Sequence, residues 1–155
     1  MTKKYYLAGP MSGHPQFNIP LFTKAAALLR SMGYNIVNPC ELDSAPIRDA
    51  CLASEDGKPS DDLPSWGVLL GRDVCVVADM CDGIIFLPGW SRSRGALLEA
   101  TTALFTGKKE YFQLVLEEAA DGSIRRFKLD AIGFEDFLYD VVCGARAVAI
   151  RERLG

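Results

Sequence analysis

Between Gly95 and Gly107 the sequence GALLEATTALFTG carries one charged side chain, Glu99. A carboxylate set among Ala, Leu and Phe must face solvent or find partners. Just ahead of it, Ser91, Arg92, Ser93, Arg94 and Gly95 follow a Pro-Gly-Trp turn and open the same helical run. Free backbone N–H groups of a first helical turn, with serine hydroxyls and a guanidinium, suit a phosphate or another anion. Ser93 equally suits a plain helix N-cap, and the two roles can coexist. Glu99 follows Ser93 by six residues, so it sits within about two turns of the helix start. Periodicity alone favours a solvated position for it, since surface helices carry charge. The functional alternative is a partly desolvated carboxylate nucleophile.

A nucleophile gains from a second acid in the same crevice, and Asp73, Asp79 and Asp82 are the candidates. Asp82 directly precedes an apolar strand and suits backbone hydrogen bonding; Asp79 belongs to the same connection. Asp73 follows Arg72, and in isolation the two read as a surface ion pair of little worth. His14, the single histidine, lies in an MSGHP loop without clustered ligands, which argues against a metal. It suits a surface position or a contact to phosphate or base. Ser12 and Gly13 offer backbone donors to an anion. Trp90 fits either a sugar or base pocket or the core beneath its loop; Trp66 reads as a packing anchor.

Around these residues the composition is that of an ordinary globular chain of one domain over residues 1–155, with a net charge of −3. That balance excludes an overall nucleic-acid-binding footprint. Five cysteines without a CxxC pair read as reduced thiols of a cytoplasmic protein (the host cytoplasm for a phage-encoded one). The start MTKKYYLAGP reaches a turn too early for a signal-peptide core. Asp79 and Asp82 interrupt the apolar run after Asp73, which leaves no membrane span.

The positioning elements follow from pattern. Residues 5–8 form a strand stopped by Gly9-Pro10, residues 19–32 a helix, and residues 34–37 a second strand stopped by Asn38-Pro39. This unit predicts parallel pairing through a right-handed crossover. Residues 43–64 are rich in Pro, Ser, Asp and Gly and read as an irregular insertion that covers a site or moves freely. A helix over 66–80 leads to a buried strand over 83–87, then the Glu99 helix. Strand 111–116 and strand 124–129 form an antiparallel edge hairpin, and a tail helix over 134–154 has a break at Gly144. The sum is an α/β sandwich with a mainly parallel sheet, in which ligands collect where strands end. Three such ends carry unusual residues: AGPMSGHP, NPCE and PGWSRSRG.

In order along the chain stand YLAGP at 6–10, RD at 72–73, CD at 81–82, LPGW at 87–90 and S-x-G-A-x-x-E at 93–99. This set resembles the nucleoside 2-deoxyribosyltransferase superfamily, above all its small phage and bacterial members, over about residues 5–110. The resemblance implies a flavodoxin- or Rossmann-like three-layer α/β sandwich and cleavage of N-glycosidic bonds in 2-deoxynucleosides or their 5-phosphates, without metal or other cofactor. It implies Glu99 as nucleophile, Asp73 as contact to sugar and leaving base, and Tyr6 beside the nucleophile. Gly9, Pro10, Met11, Ser12, His14, Trp90, Ser93, Arg94 and Gly95 are the substrate-binding candidates. Transferases acting on free nucleosides have Asp where this chain has Ser93, whereas the branch hydrolysing deoxynucleoside 5-monophosphates has Ser. The expected partner is therefore a small nucleotide, not a nucleic acid polymer or membrane. Base transfer between nucleosides and nucleotide binding without turnover are the alternatives. Relatives are homo-oligomers, which implies a dimer or larger here.

Overall fold

The computed structural model describes residues 2–154. Five strands and five α-helices form a mixed α/β structure: β1 (Lys4–Ala8), α1 (Ile19–Ser31), β2 (Asn35–Val37), α2 (Ala45–Ala53), α3 (Trp66–Met80), β3 (Gly83–Phe86), α4 (Arg94–Phe105), β4 (Glu110–Glu118), β5 (Ile124–Ala131) and α5 (Phe134–Leu154). The sheet order is β2-β1-β3-β4-β5. The first four strands pair in parallel and β5 closes the edge antiparallel to β4. The edge hairpin expected from the sequence is present, with β4 and β5 together five residues longer than the expected 111–116 and 124–129.

Side-chain alternation divides the interior into two clusters. Tyr6, Ala8, Ile84 and Phe86 pack with Val77 of α3, Ala96 and Ala100 of α4 and Phe137 of α5. Tyr5, Leu7, Ile85 and Leu87 pack with Phe22, Ala25 and Leu29 of α1 and Cys51 of α2. All four residues of β3 are buried, as a parallel strand covered on both faces requires, and this explains its unbroken apolar run. Asp82 Oδ2 accepts from Lys4 N at 2.8 Å, the structural role its place before a strand predicts. Among the described residues no helix is long and apolar enough to cross a membrane.

Two sequence expectations are corrected. The 43–64 segment is not irregular throughout, because α2 occupies residues 45–53 with Pro46 in its first turn. Ile47 and Cys51, one turn apart, dock on the α1-side cluster; that stripe is too short to stand out among Ser, Asp and Pro. The break at Gly144 is also absent, and α5 runs unbroken. Gly144 serves close packing: a Cβ there would lie 2.5 Å from Ser91 O and 2.8 Å from Leu97 Cδ2. Gly→Ala in a helix ordinarily gains about 1 kcal/mol. Gly144→Ala is expected to reverse that sign and lose about 1–3 kcal/mol through overpacking, measurable by urea unfolding.

Candidate active site

β1 presents Tyr6 on the face shared with α3 and α4, and the side chain is fully buried. Its hydroxyl donates to Glu99 Oε1 at 2.8 Å. Glu99 and Asp73 are each 7% exposed, two of the three buried polar or charged residues of the chain as described. The solvated-face position that periodicity favours for Glu99 is thus not the one it takes. No buried side-chain nitrogen or oxygen among the described residues lacks a hydrogen-bond partner, so the burial is compensated rather than orphaned.

Asp73 comes from the middle of α3, whose start is fixed by Ser65 accepting from Val68 N. Arg72 holds it, with Nε and Nη2 at 2.9 and 2.8 Å from Asp73 Oδ1. The same guanidinium donates from Nη1 to Asp43 Oδ1 at 2.5 Å. Far from a solvated surface pair, Arg72 is a partly buried cation shared by two carboxylates whose side chains are 6% and 11% exposed. Asp43 is the residue that sequence reasoning missed. It follows NPCEL at the end of β2, so the strand-end rule was the signal that could have found it.

These neighbours set the protonation of the site. Burial raises Glu99 well above the usual carboxylate range and the Asp73 charge adds to this; the Tyr6 hydrogen bond and Arg72 oppose it. Burial pushes Asp73 up to about 6, against the pull of the Arg72 ion pair and with a further push from Asp43. Tyr6 is raised by burial first and then by Glu99, which keeps it a hydrogen-bond donor. Two carboxyls of elevated proton affinity with a tyrosine between them can hold a proton near neutrality and hand it on. Because the two acids interact, the proton belongs to the pair.

The strand-end residues divide. Ser93 is the N-cap of α4, its Oγ accepting from Ala96 N at 3.4 Å, so the capping role is present. Gly95 faces open space, and a Cβ at Gly9 would lie 2.8 Å from Leu87 Cβ, so glycine lets β1 and β3 end side by side. Pro10 O accepts from Asn18 Nδ2 at 2.8 Å, Met11 leans on the α1-side cluster, and Ser12 and His14 are exposed. Segment 54–57 lies along this loop, through Gly13 N to Gly57 O at 3.0 Å and Gln16 N to Ser54 O at 2.7 Å. Next, Gln16, Phe17 and Asn18 all have positive φ, a left-handed run that costs roughly 1–2 kcal/mol per residue and is pinned by buried Phe17.

Two residues go elsewhere. Trp90 is 2% exposed and stacks on Phe86 at 4.0 Å, so of its two sequence roles the structure shows packing. The Arg94 guanidinium lies 4.0 Å above the Trp66 ring and pairs with Glu152 at 3.7 Å, engaged with protein rather than free for an anion. Two surface clefts, one beside Lys24 and Gly122 and one beside Lys108, Lys109 and Phe134, do not include Tyr6, Asp73 or Glu99. Among the described residues no group of His, Cys, Asp and Glu has the arrangement of a metal site.

Residues 3–54 and 71–112 match the family described as Domain of unknown function (DUF4406), and the chain belongs to that family. The matched segments contain Tyr6, Asp43, Asp73 and Glu99 and leave out residues 55–70, β5 and α5. No protein of curated function matches it.

Proposed function

We propose that this member of the DUF4406 family cleaves the N-glycosidic bond of (deoxy)nucleoside 5-monophosphates through Glu99, with water or another base as acceptor. The fold would be the flavodoxin- or Rossmann-like three-layer sandwich of the nucleoside 2-deoxyribosyltransferase superfamily, and the working unit a homo-oligomer. The observation that carries the reading is the buried hydrogen bond from Tyr6 to Glu99 with Asp73 beside it. A carboxylate hidden at the cost of its own ionisation is not explained by packing, and it suits attack on an electron-poor sugar carbon.

In this scheme Glu99, as carboxylate, attacks C1′ while the C1′–N bond breaks and its electron pair goes to the base. Asp73 gives that nitrogen a proton. Water or a second base then attacks C1′, the C1′–O bond to Glu99 breaks, and Asp73 takes the proton back. The proton must therefore be on Asp73 when Glu99 is charged. The Tyr6 donor favours charge on Glu99. Asp43 draws Arg72 away from Asp73 and so favours the proton there.

Ser93 at the α4 start supports a phosphate over a bare sugar hydroxyl, because backbone donors and a neutral hydroxyl accept an anion that Asp would repel. Ser93→Asp keeps a competent N-cap and is expected to lower turnover of nucleotides about tenfold or more, roughly the effect of one poorly screened like charge, while sparing nucleosides. Equal effects on both substrates would remove phosphate selection by Ser93. The direct test is chromatography of free base after incubation with deoxy- and ribonucleoside monophosphates. Base release only with an acceptor base present would assign transfer instead. Ligand-dependent thermal stabilisation with no base release would assign a binding protein.

A further inference from the structure

α5 carries a second apolar stripe that the fold leaves uncovered. Phe137, Val141, Gly144 and Val148 are its buried face, with the 4-3-4 spacing of a helix-packing seam. One residue further on, Leu138, Val142, Ala145 and Ala149 repeat that spacing. These four are exposed, Val142 by 58% and Leu138 by 39%. On the neighbouring α4, Leu98 and Phe105 add exposed apolar surface, Phe105 at 83%.

The order of side-chain sizes is informative. The two large residues come first and the two small ones second, so a parallel copy would set Leu on Leu and leave Ala facing Ala. An antiparallel copy related by a twofold axis sets Leu138 over Ala149 and Val142 over Ala145, and one register satisfies both contacts. Charge follows the same sense. The first half of α5 holds Glu135, Asp136 and Asp140, and the second half Arg146, Arg151 and Arg153 with one acid, Glu152, which pairs with Arg94 of α4. Glu135 and Arg153 are eighteen residues apart, about five turns, and so share one flank of the seam. In that register each lies within one residue of its opposite from the other copy, and neither has an ion-pair partner among the described residues.

From this we infer that α5 is a self-association surface, on which a second copy of the chain docks antiparallel about a twofold axis between Val142 and Ala145. Homo-oligomers favour such isologous contacts. The seam is short and half alanine, at the small end of interfaces that bury roughly 1,200–2,000 Å², so dimerisation is expected near micromolar concentration. This inference rests on the homo-oligomer of the proposed function, to which it assigns a surface, and its test is separate from that of the chemistry.

Sedimentation equilibrium and disulfide trapping test it. In a background with exposed Cys75 and Cys143 changed to Ser, Leu138→Cys and Ala149→Cys chains are mixed and oxidised with copper phenanthroline. The expected product is the mixed dimer. Either variant alone should cross-link poorly, because its two sulfurs lie about 16 Å apart along the axis. Val142→Glu, an exposed change checked for folding by circular dichroism, should be monomeric where the parent is dimeric. A parent that stays monomeric up to about 100 μM, or same-position cross-links that equal the mixed one, would overturn the inference.

Discussion

Glu99→Gln is expected to lose base release by at least about 10³-fold, the scale seen when a nucleophile is removed, while the protein becomes no less stable. The isosteric amide keeps an oxygen for the Tyr6 hydroxyl, now 2.8 Å from Glu99 Oε1. What disappears is a carboxyl whose burial opposes its ionised form. The sign follows from linkage: a carboxyl with a raised folded-state pKa binds protons more tightly in the native state, so stability falls as pH rises from the unfolded value through the folded one. The wild-type chain therefore carries an unfavourable contribution at pH 8 that Glu99→Gln lacks. Its Tm at pH 8 should equal or exceed that of the wild type, and the gap should shrink toward pH 4. A variant that loses both activity and stability would make Glu99 a packing residue.

Asp73→Asn is expected to cost about 10²–10⁴-fold, the usual worth of a general acid, and to change the shape of the pH dependence. With both carboxyls raised by burial, Asp73 to about 6, the active form holds a single proton in the pair. The kcat/KM of the wild type should therefore be bell-shaped: low at acid pH, where Glu99 is protonated as well, and falling on a high-pH limb as the pair loses the proton it must donate. Asp73→Asn should remove that limb. Asp43→Asn keeps an acceptor for Arg72 but drops the charge that competes for it, so Asp73 should titrate lower and the limb should move to lower pH. Asp43 is a positioning residue in this scheme, acting through Arg72. A purely structural Asp43 would lower the rate at every pH without moving the limb.

How much of this was legible in the sequence differs from element to element. The helix over 66–80 and the buried GIIF strand stood out because apolar periodicity and Gly or Pro punctuation agree there. The α2 helix did not, since only Ile47 and Cys51 mark its buried face. Gly144 looked like a helix breaker because its reason, close contact with Ser91 and Leu97, lies more than forty residues away. The same limit governs the site. Glu99 drew notice as the lone charge of an apolar helix, and Tyr6 and Asp73 through resemblance. Asp43 belongs to the cluster only because Arg72 of α3 reaches it, and no local pattern records a contact across twenty-nine residues. Periodicity alone would set Glu99 on the solvent side of α4, where it does not lie. A buried carboxylate violates the rule that charge marks the solvent side, and such violations concentrate at functional sites.

The most direct measurement is covalent trapping. A 2-fluoro-2-deoxyarabinosyl nucleoside monophosphate slows breakdown of a glycosyl ester more than it blocks the leaving base, so the intermediate accumulates. After incubation and proteolysis, mass spectrometry is expected to find the sugar phosphate attached to the peptide containing Glu99 and to find none in Glu99→Gln. Base release without any adduct, or an adduct on another residue, would contradict Glu99 as the nucleophile.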